Sequence, residues 1–405
     1  MSGIKIITAG ESHGQALVGI VEGLPSNMPL SQDDIDKELM RRQMGYGRGG
    51  RMAIETDKAE ILTGVRWGKT LGSPIAIEIS NRDSANWVKG MSISSEHEGA
   101  IAAVTRPRPG HADLAGAAKY GFKDIRNILE RASARETTTR VALGAVCKRF
   151  LQEFEIFIGS FVTSIGDVQS SAQPQVAESG ELIELFKMAE ADVSKGDNRT
   201  VRTPYSLDSE KMISAIGDAM AAGDTLGGTF VVFAANVPVG LGSHIQWDKK
   251  LDGRLAQAIM SIQAVKGVEL GMGFNAATLN GSQVMDEIFY DKPKTPHFGF
   301  YRKTNNMGGI EGGMSNGMPI VLRAAMKPIP TLRKKPLKSV DLLTKSAIEA
   351  AYERSDVCAV PSCSVIAEAM MAVVLADAFL DKFGGDAIDE TKANYYNYMK
   401  YLSGI

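Results

Sequence analysis

Cysteine is scarce in this chain, with Cys147, Cys358 and Cys363 the only three among 405 residues. An odd, widely spaced set without a C-x-x-C pair argues against a disulfide framework and a zinc site. Cys147 falls in the apolar-periodic run RVALGAVCKRFL and is expected as a buried structural thiol. Long hydrophobic runs are missing too. The richest, AMMAVVLADAFL, is interrupted by Asp377 and shorter than a bilayer span requires. MSGIKIITAG enters a strand pattern at once, without the parts of a secretory signal, so a cytoplasmic protein is expected. No HExxH, GxSxG, GxxxxGK[ST] or strand-borne GxGxxG occurs. Zinc hydrolysis, serine-nucleophile chemistry, a P-loop kinase and a Rossmann dehydrogenase therefore lack a sequence basis, and no metal site is expected.

What is present is ordinary in bulk and uneven in detail. A hydrophobic share of 44% and a charged share of 23% fit a soluble globular chain and disfavour disorder. A net charge of −2 speaks against a generic polyanion binder. Arginine is nevertheless concentrated in RRQMGYGRGGR (41–51), TRPRPG (105–110) and ERASARETTTR (130–140). Guanidinium groups pair bidentately with phosphate oxygens and stay charged, so a focused anion site is expected. Glycine interleaving in GYGRGGRM disfavours an ordinary helical face. It would also suit RNA binding, but no aromatic stacking register accompanies it, which leaves a nucleic-acid binder as a remote alternative.

The order of elements reads as mixed helix and strand without regular alternation, so a doubly wound sheet is not expected. LSQDDIDKELMRRQ has Ser31 as N-cap, Asp34 three residues on, and Ile35 and Leu39 one turn apart. This predicts a helix closed near Gly45. PIAIEIS and GTFVVFAANVPV read as strands. Helices are expected from about Ser133 through Arg149, on ELIELFKMAEADVSK, DSEKMISAIGDAMAAG and DGRLAQAIMSIQAVKG, and, buried, on VIAEAMMAVVLADAFLDKFG. The polar segment 170–180 reads as a surface excursion. KTLGSPIAIEI (69–79) echoes DTLGGTFVVFA (224–234), which leaves a duplicated core and a chance match both open.

Two of the five histidines sit beside glycine in non-periodic stretches: His13 in GESHG and His111 in RPRPGHAD. Such turns admit close ligand approach, which marks both as candidates for proton handling. His97 in SSEHEG reads as a solvated helix start, while His244 and His297 carry no signal. NNMGGIEGGMSNGMPI (305–320) is either a turn cluster or a backbone cradle for a cofactor. Asp356 in ERSDVCAVP lies near an arginine, an arrangement that is commonly a plain surface pair.

GESHGQALVGIVEGLP, RRQMGYGRGGRM, RPRPGHADLAGAAKYGFKDIRNILERASARETTTRVALGAV, NNMGGIEGGMSNGMPIV, KPIPTL and RSDVCAVP together resemble the chorismate synthase family, in family order over about residues 4–385. The combination is specific where no single block is. The resemblance implies an α+β fold, a β-α-β sandwich with internal pseudo-symmetry. It implies one large domain over 1–405 in a homotetramer; the tail 386–405 lies beyond the motifs and is expected as a peripheral C-terminal helix. The implied reaction removes phosphate and the C6 proton from 5-enolpyruvylshikimate 3-phosphate to give chorismate. It requires reduced FMN without net redox change, with NADPH as a candidate reductant and no nucleic-acid or membrane partner.

By position, the resemblance casts His13, His111 and Asp356 as catalytic groups. Arg42 and Arg48 match positions associated with the nicotinamide cofactor or the substrate, and Arg51, Arg106, Arg108 and Arg135 are expected to complete that anion site. Arg131, Ala132, Ser133, Gln263, Ala264, Gly312, Lys327, Pro328, Ile329, Pro330, Thr331 and Arg354 match flavin-contact positions. Two departures stand out: Ala132 replaces a serine of the usual RSSARET, and Ser362–Cys363 stand where Arg-Ala is common. A backbone contact at 132 would survive the change. The alternative enzyme is a flavin oxidoreductase that uses the same pocket for net hydride transfer.

Overall fold

The computed structural model describes residues 3–49, 56–172, 178–194, 199–293, 295, 298–334, 336–353 and 355–405. Its first sheet joins β1 (Lys5–Ala9), β2 (Ala16–Glu22), β3 (Glu60–Ile61) and β4 (Ile75–Ser80) in the order β1-β2-β4-β3. The second joins β5 (Phe157–Ile165), β6 (Val168–Gln169), β7 (Gly228–Ala235), β8 (Val265–Leu270) and β9 (Ile320–Met326) in the order β8-β9-β7-β5-β6. Every neighbouring pair in both sheets is antiparallel, so the architecture is mixed helix and sheet and not a Rossmann arrangement. The echoing stretches form β4 and β7, each an interior strand of its own sheet.

The principal helices are α1 (Gln32–Gln43), α2 (Asp113–Tyr120), α3 (Arg126–Ala132), α4 (Thr137–Gln152), α5 (Ser179–Ser194), α6 (Ser206–Ala222), α7 (Leu251–Met260), α8 (Val360–Phe383) and α9 (Ile388–Leu402). α4 packs on β2, α8 packs on β5 and β7, and the two helices pack on each other. Small residues set that last approach. A methyl group added at Gly144 of α4 would come within 2.6 Å of Ala369 Cα on α8. Gly144→Ala is therefore expected to destabilise the protein by about 1–3 kcal/mol through overpacking. An unchanged denaturation midpoint would show that the helices can separate without cost.

α8 corrects one expectation. At 24 residues it is long and apolar enough to cross a membrane, because the helix extends well beyond the apolar stretch read from sequence. Burial, and not shortness, marks it as a core helix: 89% of its most apolar window lies inside the protein. Asp377, which interrupts it, accepts the Ile4 N–H at 2.6 Å and pairs with Arg254.

α1 follows its sequence signals. Ser31 Oγ accepts the Asp34 N–H at 3.3 Å and Asp34 accepts the Ser31 N–H at 2.8 Å, while Ile35 and Leu39 are buried. α4 starts later than expected, since Ser133 caps a short 3-10 turn (Ala134–Glu136) first. The helix expected on DGRLAQAIMSIQAVKG ends at Met260. Ala264 has a left-handed φ of 69°, its carbonyl accepts the Lys327 N–H at 2.9 Å, and Val265 opens β8. Of the expected excursion, 173–177 lies outside the described residues and Ser179 already belongs to α5. All three cysteines are buried, and burial pushes each thiol up to about 12, which leaves them inert.

An ionic cluster occupies the core beside α8. Glu368 has no exposed surface and accepts from Arg41 at 2.8 Å, Lys148 at 2.8 Å, Ser160 at 2.5 Å and Arg202 at 3.2 Å. Arg41 also pairs with Glu38 and Glu190. The first arginine of the 41–51 cluster thus serves the core.

Candidate active site

Gly10, at φ 106°, turns the chain out of β1 into the Gly10–Gly14 loop; a methyl group there would meet the Ala16 carbonyl oxygen at 2.6 Å. The loop is pinned to α3. Ser12 N–H donates to the Glu130 carbonyl at 3.0 Å, and Ser12 Oγ donates to Ser133 Oγ at 3.0 Å. Arg131 donates to the carbonyls of Gly10 at 3.1 Å and Thr8 at 2.8 Å. Asn81 donates to the Glu11 and Gly14 carbonyls at 3.1 and 2.8 Å. His13 is half-buried, with Nδ1 2.8 Å from Glu130 Oε1, its ring stacked on Trp87 and Nε2 3.8 Å from Asp83.

Behind this loop, Arg42 and Arg135 converge on the buried Asp57. Arg42 also donates to Thr137 Oγ1 and the Ala134 carbonyl, both at 3.0 Å, and Arg135 donates to Asn81 at 2.9 Å. Burial lowers the Arg42 pKa to about 10, Asp57 opposes the shift, and the charges of Arg48 and Arg135 add to it. Arg48 lies 2.7 Å from Asp356 Oδ2, while Gly49 N–H donates to Oδ1 at 2.7 Å. Residues 42 and 48, 135 and 356 are thereby brought together from three distant parts of the chain.

His111 has its own carboxylate. Asp113, fully buried, accepts from His111 Nδ1 and from the Arg108 backbone N–H and Nε, the latter two both at 2.9 Å. Burial would raise the Asp113 pKa, but the hydrogen bonds from His111 and Arg108 outweigh it and hold the carboxyl well below its usual range. A methyl group on Gly110 would lie 3.8 Å from both Lys327 Nζ and Pro330 Cβ, so the His111 turn adjoins the 327–330 loop. Arg106 is exposed and has no ion-pair partner among the described residues.

Several positions expected to contact flavin also meet. Ala264 accepts from Lys327 as described above, Gln263 Nε2 donates to Glu136 at 3.1 Å, and Thr225 donates to the Ile329 carbonyl at 2.7 Å. Glu136 receives Thr8 as well, which links Gln263 to the strand that Arg131 clasps. Thr331 is buried and Pro328 exposed. A methyl group added at Gly312 would reach His244 Cβ at 4.0 Å. Arg51 and Arg354 lie outside the described residues, as does His297.

Ala132 is half-buried on α3, and the serine that bonds Ser12 is the neighbouring Ser133. Ser362 donates to the Arg42 carbonyl and so ties the first turn of α8 to α1, while Cys363 is buried. Among the described residues no group of three or more histidine, cysteine or carboxylate side chains could hold a metal ion. Sequence reading missed Glu130, Asp57, Asn81, Trp87 and Asp113. Of these, only Asp113, two residues after His111, offered a short-range signal.

Carboxylate-backed imidazoles beside converging guanidinium groups define an enzyme built for proton transfer next to an anion. The chain belongs to the chorismate synthase family, whose model matches residues 4–380. A chorismate synthase of Aquifex aeolicus is 55% identical over 402 residues, covering 99% of each chain. One of Geotalea daltonii is 53% identical over 404 residues, covering 99% of this chain and 100% of its own. A crystal structure of a chorismate synthase superposes over 100% of both chains with a TM-score of 0.80 at 46% identity.

Proposed function

We propose that this protein is a carbon–oxygen lyase that converts 5-enolpyruvylshikimate 3-phosphate to chorismate by 1,4-elimination of phosphate and the C6 proton. The observation that carries the reading is the convergence of Asp356 with Arg42, Arg48 and Arg135, joined through Asn81 to the loop that bears His13, in a chain whose residues 4–380 match the family. The substrate's phosphate and two carboxylates call for such a concentration of guanidinium.

Reduced FMN fits these residues on two observations. Lys327 has no ion-pair partner among the described residues, and burial with the charge of Lys266 lowers its pKa, a setting that suits a phosphate. Gln263 Oε1 is buried with no hydrogen-bond partner and could accept from a ring N–H. Arg131, Ala132, Ser133, Gln263, Ala264 and Lys327–Thr331 would hold the group, with Gly312 and Arg354. When bound, reduced FMN supplies reversible electron density that eases loss of phosphate and of a non-acidic hydrogen.

The chain's own residues do the rest. His111, backed by Asp113, donates a hydrogen bond or proton to the departing phosphate, and Arg106 and Arg108 balance its charge. His13 holds a proton at the flavin edge of the site, and Asp356, anchored by Arg48 and Gly49, stands on the exit route of the C6 proton. We read the fold as a β-α-β sandwich, two antiparallel sheets enclosing α4 and α8 with β4 and β7 as counterparts, in one domain. We further propose a cytoplasmic homotetramer, with NADPH as reductant.

The test is conversion of the substrate under anaerobic conditions with chemically reduced FMN. Chorismate should form with no net loss of reductant; stoichiometric consumption of reductant would favour the oxidoreductase reading instead. Arg48→Ala should also raise the apparent substrate constant by about 2–3 kcal/mol, roughly 30–150-fold, for a lost charge-assisted contact. Arg66, which is exposed over Trp67, is the control. Equal effects at the two positions would remove Arg48 from the substrate site.

A further inference from the structure

One nitrogen of the His13 imidazole is held closely by a carboxylate. Glu130 accepts the His13 backbone N–H through Oε2 at 2.8 Å, and Nδ1 lies 2.8 Å from Oε1 and 3.0 Å from Oε2. Glu130 is 3% exposed and belongs to α3, on which Arg126 stands 3.6 Å from Oε1. Arg126 also lies over the Trp87 ring, on which His13 stacks at 4.3 Å, and pairs with Glu353 at 3.3 Å. At the other nitrogen, Nε2, the facing carboxylate is Asp83 at 3.8 Å.

Burial would raise the Glu130 pKa, but the hydrogen bonds and charge of His13, with the charge of Arg126, outweigh it and lower it. An ionised carboxylate only accepts, so Nδ1 must present a hydrogen to it. We propose that Glu130 is a positioning residue for the reaction. It keeps Nδ1 protonated in both charge states of His13, so that Nε2 alone gains and loses a proton. The proposal rests on the reading of His13 as a proton-handling group and adds which of its atoms acts. Such a carboxylate fixes tautomer and ring orientation together, a role well attested in triads built on histidine.

The isosteric Glu130→Gln reverses the pattern. The amide oxygen must still accept the His13 backbone N–H, so the amide NH2 turns toward Nδ1 and donates. The neutral ring then carries its proton on Nε2.

Nitrogen NMR of protein labelled in its five histidines, recorded across pH without flavin or substrate, reads this directly. His13 signals are assigned by their disappearance in His13→Gln. In the wild type, Nδ1 should keep the shift of a protonated nitrogen throughout while Nε2 alone titrates. In Glu130→Gln the neutral ring should be protonated on Nε2, with kcat down roughly 10²–10⁴-fold. The substrate KM should stay within about threefold, as expected when an interaction made only in the transition state is lost.

A wild-type neutral ring protonated on Nε2 would overturn the proposal without any variant. So would a Glu130→Gln protein with an unchanged nitrogen pattern, or one with a reversed pattern and wild-type kcat. Failure of the wild type to form chorismate would overturn the proposed function and leave the nitrogen assignment standing, because the shifts are read without substrate.

Discussion

Replacing His111 with alanine is expected to slow the chemical step roughly 10²–10⁴-fold, the usual loss for a positioned acid. The residue stands on a glycine turn between Arg108 and the 327–330 loop, with its Nδ1 on a fully buried carboxylate. Its loss should leave flavin affinity nearly unchanged, since its proposed partner is the leaving phosphate. His13→Ala should instead alter the absorbance spectrum of the anaerobic ternary complex, because that imidazole is proposed to govern protonation near the flavin. Single-turnover kinetics together with that spectrum separate the two. If both variants fold and turn over at the wild-type rate, neither histidine takes part in the reaction.

Glu368→Ala is expected to cost about 3–5 kcal/mol of stability, the range for removing one partner of a buried ion cluster. The substitution would strand Arg41, Lys148 and Arg202 without their shared carboxylate, and Arg202 is 1% exposed. Burial alone would push the Glu368 pKa up, but the charges of Arg41, Lys148 and Arg202 outweigh it and hold it far below its usual 4.5. A carboxyl with a depressed folded-state pKa contributes stability above its unfolded pKa and loses it as pH falls through the folded value. The stability difference between wild type and variant should therefore be full at neutral pH and shrink under acid, below about pH 4.5. Denaturant titrations at neutral and acid pH check this. A loss under about 1 kcal/mol at neutral pH would mean that the three cations find other partners or water.

Local pattern carried much of the fold. The Ser31–Asp34 capping box, the apolar spacing of α1 and α4, and the alternation of β4 are local patterns, and each appears in the structure, α4 only after the 3-10 turn that Ser133 caps. The pattern failed where a distant segment decided the outcome. Apolar spacing through Ala264 suits a helix, but the Ala264 carbonyl is taken by Lys327 and Val265 pairs with Met326 in a sheet. Length misled at α8, because Ser362, Ser364 and Glu368 in its N-terminal part lie inside the fold and not at its surface.

By itself, the amino-acid sequence determined which groups this protein has for chemistry. The motif blocks and their order were enough to show a resemblance to the chorismate synthase family, because the combination is specific where no single block is. Only the tertiary structure decided what each group faces. Adjacent Arg41 and Arg42 diverge, one to Glu368 in the core and the other to Asp57 behind the site, because consecutive side chains leave a helix about 100° apart. Glu130 reaches His13 from 117 positions away, and Asp356 reaches Gly49 from 307. Hydrogen bonds and ion pairs depend on distances of a few ångströms in space, and no periodicity along the chain encodes which remote carboxylate will close them.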